Sequence, residues 1–255
     1  MTLPRTFTAL GETRTRLMST HALFSPDGHV RTQLPGWTGT ACVVLISAQL
    51  GARFTQYFAH MEAGGQGAAT GYERFVFVLS GAVRLELALE SSRTLTEYGY
   101  TYLPAGSPAT LHADAPATLC VFERRYLPLR GVPAPAPVFG NERDTAGEAF
   151  LGDDGVTLRK LLPEHPSFDL MLSTMTFAPG RSLPFAETHV MEHGLLLLSG
   201  GGVYRLADLW YPVTAGDTIY MAPYCPQWFG ALGRVEAKYL LYKDAFRDPF
   251  ALAEG

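Results

Sequence analysis

The chain has 255 residues, 47% of them hydrophobic, a formal net charge of −4 at pH 7 and a pI near 6.0. This hydrophobic content supports a substantial core, and the 20 Lys and Arg residues form no basic run or stripe, which argues against nucleic acid as a partner. The amino-terminal stretch has no apolar segment of signal-peptide length, and no apolar run approaches a membrane span. We therefore expect a cytoplasmic protein that does not bind membranes.

The composition predicts an all-β protein without disulfides. Its 26 Gly and 18 Pro residues separate short runs rich in Val, Leu, Tyr and Phe, a pattern typical of β-strands between turns. The three cysteines, Cys42, Cys120 and Cys225, are odd in number and far apart, so neither a disulfide framework nor a thiolate zinc site is predicted. A reducing compartment agrees with this cysteine usage.

Two stretches of the chain resemble each other, which indicates an internal repeat. The run F-V-F-V-L-S-G at 75–81 lies over G-L-L-L-L-S-G at 194–200, and the same shift places Pro104 on Pro223. We therefore expect two copies of one β-unit.

The boundaries follow from turn and proline signals. The turn sequence Pro-Asp-Gly at 26–28 and a few β-type stretches precede the first copy, and we expect this arm to pack on one of the units. Alternating prolines after residue 131 cannot donate to a sheet ladder and favour an extended connector. The predicted organisation is an amino-terminal arm at 1–37, a first unit at 38–130, a Pro-rich linker at 131–147 and a second unit at 148–255.

The second unit contains short β-type runs at turn-bounded intervals. Short, evenly spaced antiparallel strands are typical of a small barrel or jelly roll, whose interior holds one small ligand. The predicted strands lie at 168–177, 193–200, 202–206, 217–221 and 236–243.

A candidate metal site immediately precedes the run at 194–200. Glu187, His189 and His193 stand at spacings of two and four residues. On a strand, Glu187 and His189 project from the same side, and His193 has the parity to rejoin them after a slight bend. Carboxylate and imidazole groups are typical metal donors, so these side chains predict one cation site. The alternative is a chance pair of histidines on a polar edge, which the added carboxylate disfavours.

Strand parity also sorts the neighbouring residues. In K-Y-L-L-Y-K at 238–243, Tyr239 and Lys243 share parity and are expected to face the barrel interior, with Tyr242 and Lys238 facing away. Glu192 has the opposite parity to the histidine cluster and is expected to be exposed.

The second unit resembles the cupin superfamily. Gly180 precedes the cluster and Gly200 follows His193 by seven residues, as the first cupin motif expects. In the second motif, Gly216 is followed eleven residues later by Gln227, where many cupins have their last histidine. The resemblance implies an all-β bicupin, that is, two tandem cupin units of jelly-roll or β-barrel form.

Three departures from the common cupin pattern match one family. The cluster order is Glu, His, His; a glutamine replaces the fourth ligand; and Pro223 comes one residue late. With these features, the stretch from Glu187 to Pro249, which contains P-Q-W and Y-L-L-Y-K-D in order, closely resembles the (S)-ureidoglycine aminohydrolases. These are bicupins of purine catabolism. The resemblance is dense in the carboxy-terminal part and mainly architectural before it.

The resemblance implies a manganese enzyme with a small-molecule substrate. It implies hydrolysis of (S)-ureidoglycine to (S)-ureidoglycolate and ammonia, in which water replaces the amino group on a tetrahedral carbon. The implied Mn²⁺ ligands are Glu187, His189, His193 and Gln227. The implied substrate-binding residues are Glu187, Tyr204, Gln227, Tyr239 and Lys243, of which Glu187, Lys243 and Tyr239 are the candidate catalytic residues.

The donor set and the substrate agree with these roles. Two imidazoles, one carboxylate and one amide oxygen suit Mn²⁺ better than zinc, which prefers fewer and softer ligands. Lys243 can bind the substrate carboxylate, and Glu187 can hold the departing ammonium or relay its proton. Cys225, two residues before Gln227, is expected to be a small buried residue.

The first unit is expected to be a degenerate partner without a metal. At the repeat offset, the four ligand positions hold Ala68, Thr70, Arg74 and Pro108. An arginine would repel a cation, so this unit is interpreted as scaffold and interface.

Two other functions use the same residues. One is a cupin dioxygenase that binds iron at these ligands, and the other is a non-catalytic cupin that binds a small acid. Bicupins associate through sheet edges and arms, so we also expect a homo-oligomer.

Overall fold

The computed structural model describes residues 13–87 and 92–247. Within these ranges the chain forms twenty β-strands and three short 3₁₀ helices, at Pro26–Gly28, Ala48–Leu50 and Glu142–Asp144, and no α-helix. The prediction of an all-β protein is confirmed. Residues 1–12 of the predicted arm and 248–255 of the predicted second unit, which include Pro249, lie outside the described residues.

No helix in the part of the chain that the structure describes has the length and apolar character needed to cross a membrane.

The strands are numbered in chain order. Those before the predicted second unit are β1 Arg16–Leu17, β2 His21–Phe24, β3 Trp37–Ile46, β4 Phe54–Gly67, β5 Glu73–Ser80, β6 Ala82–Glu86, β7 Arg93–Thr96, β8 Gly99–Leu103, β9 Thr110–His112, β10 Ala117–Arg124 and β11 Val138–Asn141. Those after it begins are β12 Glu148–Phe150, β13 Asp153–Lys160, β14 Leu170–Phe177, β15 His193–Ser199, β16 Gly201–Leu206, β17 Leu209–Thr214, β18 Thr218–Met221, β19 Gln227–Ala231 and β20 Ala237–Asp244.

These strands form two large antiparallel sheets and a small one. The first large sheet has the order β11-β8-β5-β10-β4-β9-β6-β7, with β3 also paired to β4. The second has the order β1-β2-β18-β15-β20-β14-β13-β12, and the small sheet has the order β17-β16-β19. The arm strand β2 thus completes the second sheet by pairing with β18.

The two halves of the chain pair their strands in the same pattern. The run β8-β5-β10-β4 in the first half matches β18-β15-β20-β14 in the second, and β7-β6-β9 matches β17-β16-β19. The repeated sequences at 75–81 and 194–200 fall on β5 and β15, which hold equivalent places in the two patterns.

Alternation along β20 divides its side chains between two cores. Tyr242 lies in an apolar core that contains residues of both halves, where its ring stacks on Phe54 with 3.9 Å between centroids. Tyr239 lies in a separate core made by the second large sheet and the small sheet, against Phe177 and Phe229. The predicted parity of this strand is confirmed. One face of β20 therefore joins the halves and the other lines the interior of the second half.

A buried charged cluster also joins the halves. The Arg124 guanidinium lies 3.4 Å from the carboxylate of Glu73 in the first half and 3.6 Å from that of Asp169 in the second. It also donates to the Tyr242 hydroxyl at 3.0 Å, and the Tyr102 hydroxyl donates to Glu73 at 2.7 Å. All of these side chains are buried, so each charge depends on its partners for stabilisation.

We predict that Arg124→Met destabilises the protein by about 3–5 kcal/mol, because it leaves the buried acid pair of Glu73 and Asp169 without its cation. Urea denaturation of the metal-free protein measures the change. Arg84→Met is the control: its ion pair with Glu86 is partly exposed, so the expected loss is below about 1 kcal/mol. Equal losses for the two variants would contradict the assignment.

Candidate metal centre

The four predicted metal ligands lie where the second large sheet meets the small sheet. His193 is the first residue of β15 and Gln227 is the first residue of β19. Glu187 lies in the segment between β14 and β15, and its backbone pairs with that of Gln227 through two hydrogen bonds of 2.8 and 2.9 Å. The strand ends and this isolated bridge fix the positions of three of the four residues.

Side-chain contacts connect the histidines to the glutamine. The rings of His189 and His193 lie 4.7 Å apart between centroids. The Gln227 amide nitrogen is 3.2 Å from Nε2 of His189, and its amide oxygen accepts a hydrogen bond of 3.4 Å from the Tyr204 hydroxyl. Residues separated by up to 38 positions in sequence therefore form one cluster.

The segment before β15 is not the strand that the sequence pattern predicted. Glu187 forms only an isolated bridge, and residues 188–192 are irregular. The turn that follows β18 holds this segment, because the Tyr224 N–H donates to the His189 carbonyl at 2.8 Å and the Thr188 hydroxyl donates to the Tyr224 carbonyl at 3.1 Å. The three side chains come together through a loop and a strand end rather than through strand alternation.

Lys243 faces the same cluster. In the β15–β20 pair it lies directly opposite His193, and directly opposite residues project to the same face of a sheet. Its ammonium is close enough to Glu187 that each group affects the pKa of the other. Burial lowers the pKa of Lys243, and the Glu187 carboxylate opposes that shift. The lysine is thus a partly buried cation beside the candidate ligands.

The two candidate pocket tyrosines are buried and protonated. Tyr204 and Tyr239 are 1% and 2% exposed, and burial raises the pKa of both hydroxyls. The Glu187 carboxylate adds to both shifts. The Tyr239 hydroxyl lies 3.2 Å from the Met175 sulfur, a weak acceptor, so it can donate to a stronger one.

Electrostatics keep both imidazoles neutral. Burial lowers the pKa of His193 well below its ordinary value, and the neighbouring His189 and Lys243 lower it further. Burial and Lys243 also lower the pKa of His189. Burial raises the pKa of Glu187, although Lys243 opposes the shift. Neutral imidazole is the form that binds a metal.

The residues fit a divalent cation by donor type. They offer two neutral imidazoles, a carboxylate and an amide, and the Nδ1 atom of His189 is buried without a hydrogen-bond partner. Among residues 13–87 and 92–247, no group of three or more His, Cys, Asp and Glu side chains is arranged so that it could hold a metal ion. Glu187, His189 and His193 are therefore not arranged around a common point in this structure, and the fit rests on the donor types of the four residues. In this structure the Gln227 amide nitrogen faces His189. Binding of a metal ion through the amide oxygen therefore requires the amide group to flip.

The predicted exposure of Glu192 is wrong. Its side chain is 1% exposed, and both carboxylate oxygens accept from the Arg53 backbone N–H, at 3.1 and 3.2 Å. Parity did place Glu192 on the face opposite His193, but that face is covered by the first half of the chain. Cys225 is buried, as predicted.

The amino-terminal arm places a further histidine, not predicted from the sequence, on the same face as His193. His21 in β2 lies opposite Met221 in β18, which in turn lies opposite His193 in β15, so the three side chains share one face. His21 is 1% exposed and its Nε2 atom is 2.8 Å from the Tyr211 hydroxyl. No local sequence signal marks it, because only the pairing of β2 with β18 brings it here.

The equivalent position in the first half holds an ion pair. Arg74 is buried, contacts the Glu123 carboxylate at 2.6 Å and donates to the Ala68 carbonyl at 2.8 Å. The absence of a metal from this half stays a prediction, which the buried guanidinium supports.

Comparison with known proteins agrees with the fold and extends it. The model of the EutQ-like cupin domain family matches residues 48–119. The chain is 44% identical to the (S)-ureidoglycine aminohydrolase of Arabidopsis thaliana, over 94% of this chain and 80% of the relative. It is 43% identical to the probable (S)-ureidoglycine aminohydrolase of Oryza sativa subsp. japonica, over 94% of this chain and 77% of the relative. The crystal structure of protein Ylba from E. coli superposes with a TM-score of 0.82 at 32% identity and covers 96% of this chain and 99% of that one.

The sheets and the histidine cluster define a cupin-type protein. Within that class, sequence identity of 43 and 44% over 94% of the chain identifies the family. The chain belongs to the (S)-ureidoglycine aminohydrolase family.

The lowered pKa of His193 predicts a pH dependence of stability. Below its ordinary value of 6.5, the ring takes up a proton more readily in the unfolded chain than in the folded one. Its contribution to stability is therefore present above that pH and is lost as the pH falls through the folded-state pKa. We predict that the free energy of unfolding of the metal-free protein falls more steeply below pH 6.5 than that of His193→Gln. Urea denaturation across this range measures both, and equal slopes would refute the prediction.

Proposed function

We propose that the chain is a hydrolase that converts (S)-ureidoglycine and water to (S)-ureidoglycolate and ammonia, in purine and allantoin catabolism. The observation that carries this proposal is identity of 43 and 44% across 94% of the chain to proteins named for this activity. The contacts among His189, His193 and Gln227, with Lys243 opposite His193, support it independently.

The proposed architecture is a bicupin. The matching strand orders of the two halves support a tandem repeat with units at 38–130 and 148–255. The arm at 1–37 and the linker at 131–147 then have equivalent roles, because each supplies a strand that pairs with an equivalent strand of a large sheet, β2 with β18 and β11 with β8. We also propose that the protein forms a homo-oligomer.

Glu187, His189, His193 and Gln227 would hold the metal, which we propose to be Mn²⁺. A divalent ion bound there supplies Lewis acidity toward a chelating substrate and lowers the pKa of bound water. The neutral imidazoles and the buried carboxylate provide a single formal negative charge. Such a mixed nitrogen and oxygen donor set suits manganese better than zinc.

Lys243 is proposed to bind the substrate carboxylate. The substrate also carries a ureido group and an amine on its tetrahedral carbon, so only one of its three groups is a fixed anion. A partly buried ammonium binds an anion strongly, because little water competes for it. Its place opposite His193 would direct the reacting carbon toward the metal ligands.

Glu187 is proposed to receive the departing amine. The carbon–nitrogen bond breaks as the carbon–oxygen bond to water forms, and a proton given up by the water passes to the nitrogen, which leaves as ammonia. A carboxylate whose pKa is raised by burial exchanges protons more readily near neutral pH than an exposed one. Lys243 opposes that shift and so favours the ionised form of Glu187.

Tyr204 and Tyr239 are proposed to orient the ureido group. Both hydroxyls keep their protons because burial raises their pKa, so each can donate to the ureido carbonyl. Tyr204 lies 3.4 Å from the Gln227 amide, and once that amide has turned, its nitrogen can donate to the Tyr204 hydroxyl oxygen, which leaves the hydroxyl proton for the substrate. Both rings exclude water from the reacting carbon.

We predict that the purified protein releases ammonia from fresh (S)-ureidoglycine faster with Mn²⁺ than after chelation, and equally fast without oxygen. His189→Ala is expected to lose more than about 100-fold in kcat/KM, since loss of residues that merely support metal ligands costs about 10–100-fold. Ammonia release and the handedness of the product are measured together. Release at the uncatalysed rate would sink the proposal, and a requirement for oxygen would favour the dioxygenase.

Lys243→Met is expected to lower kcat/KM by about 30-fold or more, because removal of one partner of a buried charge pair costs about 2 kcal/mol or more. The matched control is Lys238→Met on the same strand. Lys238 faces the other way and contacts Glu142 at 3.0 Å, so its loss should affect stability but not KM. Initial rates across a range of substrate concentrations separate the two. Equal KM values for both variants would remove Lys243 from the substrate site.

A further inference from the structure

We propose that Arg53, from the first half of the chain, is a positioning residue for the candidate metal centre in the second half. This inference rests on the proposed function. Arg53 acts through Glu192 and Asp244, which are the chain neighbours of His193 and Lys243. It assigns the first half a part in the reaction beyond that of a scaffold.

The contacts around Arg53 form a closed set. Its guanidinium pairs with Asp244 and lies 3.5 Å from the Glu192 carboxylate. Its backbone N–H donates to both oxygens of Glu192. The Glu192 N–H in turn donates to the Asp244 carboxylate at 2.7 Å. One arginine thus joins the residue before β15 to the last residue of β20.

The contacts of Arg53 with Glu192 and Asp244 also restrain the adjacent residues, which face the metal centre because side chains alternate along a strand. Lys243 and Asp244 are consecutive on β20 and project to opposite faces, and Glu192 immediately precedes His193. Because His193 and Lys243 lie opposite each other, fixing the backbone at 192 and 244 fixes the separation of these two side chains. A small shift here would move a metal ligand relative to the proposed substrate anchor.

Close packing of the two halves leaves little freedom at this point. A Cβ atom on Gly194 would lie 2.7 Å from the ring of Phe54, the residue after Arg53. The start of β15 therefore lies directly against the start of β4. Glycine at this position permits the approach that brings Arg53 to Glu192.

Stability alone does not account for this arrangement. The Glu192 side chain is 1% exposed, and a buried ion pair is often no more stabilising than apolar residues of similar size. An ion pair with several hydrogen bonds instead fixes the relative positions of the groups that it joins. Residues that support metal ligands in this way set the orientation of those ligands.

The test compares Arg53→Met with Arg14→Met in the full-length protein. The Arg14 side chain is 43% exposed, and its guanidinium lies 2.6 Å from the fully buried carboxylate of Asp217. The Arg53 side chain is 37% exposed. The two substitutions therefore each remove an arginine of similar exposure from a buried carboxylate. Asp217 adjoins none of the proposed ligands or substrate-binding residues.

The first readout is Mn²⁺ affinity, measured by the electron paramagnetic resonance signal of free Mn²⁺, and the second is kcat. Arg53→Met is expected to weaken Mn²⁺ binding and lower kcat by about 10-fold or more, and Arg53→Lys to recover part of both. Arg14→Met is expected to leave both within about twofold of the unsubstituted protein while it lowers the thermal midpoint similarly.

Arg53→Met with affinity and kcat equal to those of Arg14→Met would overturn the proposal. If Arg53→Met does not fold, Glu192→Gln with Asp217→Asn as its control makes the same comparison. If the unsubstituted protein releases no ammonia above background, the proposed function fails. The Mn²⁺ titration then still decides whether Arg53 positions the ligands.

Discussion

The register of β15 against β20 is the constraint on which the rest of the structure depends. It sets His193 opposite Lys243 on the interior face and places Tyr242 on the other face, against the first half. A shift of one residue would exchange the two faces, so that the lysine would meet the apolar core between the halves. Burial of Tyr242 against Phe54 and Phe122 therefore also determines that Lys243 lies on the opposite face.

The fold class and the Glu187, His189 and His193 cluster were predicted from local patterns, whereas Gln227 and Tyr204 were predicted only from the family resemblance. Spacing pointed to the histidines, and alternation placed Tyr239 and Tyr242 on opposite faces of their strand, which agrees with their positions in two separate cores. The prediction for Glu192 failed because alternation gives the face of a residue but not what covers that face. Its cover is Arg53, 139 positions away in sequence. His21 escaped notice for the same reason, since its place depends on pairing between β2 and β18.

The two halves share a pattern of strand pairing but differ in the use of charge. The first half fills its equivalent position with Arg74 paired to Glu123. The second half has neutral imidazoles beside a lysine whose pKa is lowered by burial. Two buried or partly buried clusters, around Arg124 and Arg53, cross between the halves. The second half therefore carries the candidate donors, and side chains of the first half contact the strand ends beside them.

Anomalous X-ray diffraction from crystals of the Mn²⁺-loaded protein tests the central claim most directly. We predict one strong manganese peak per chain, coordinated by Glu187, His189, His193 and the turned amide of Gln227, on the face to which Lys243 points. A peak at other residues, or no peak at this cluster in crystals that contain bound manganese, would contradict the account.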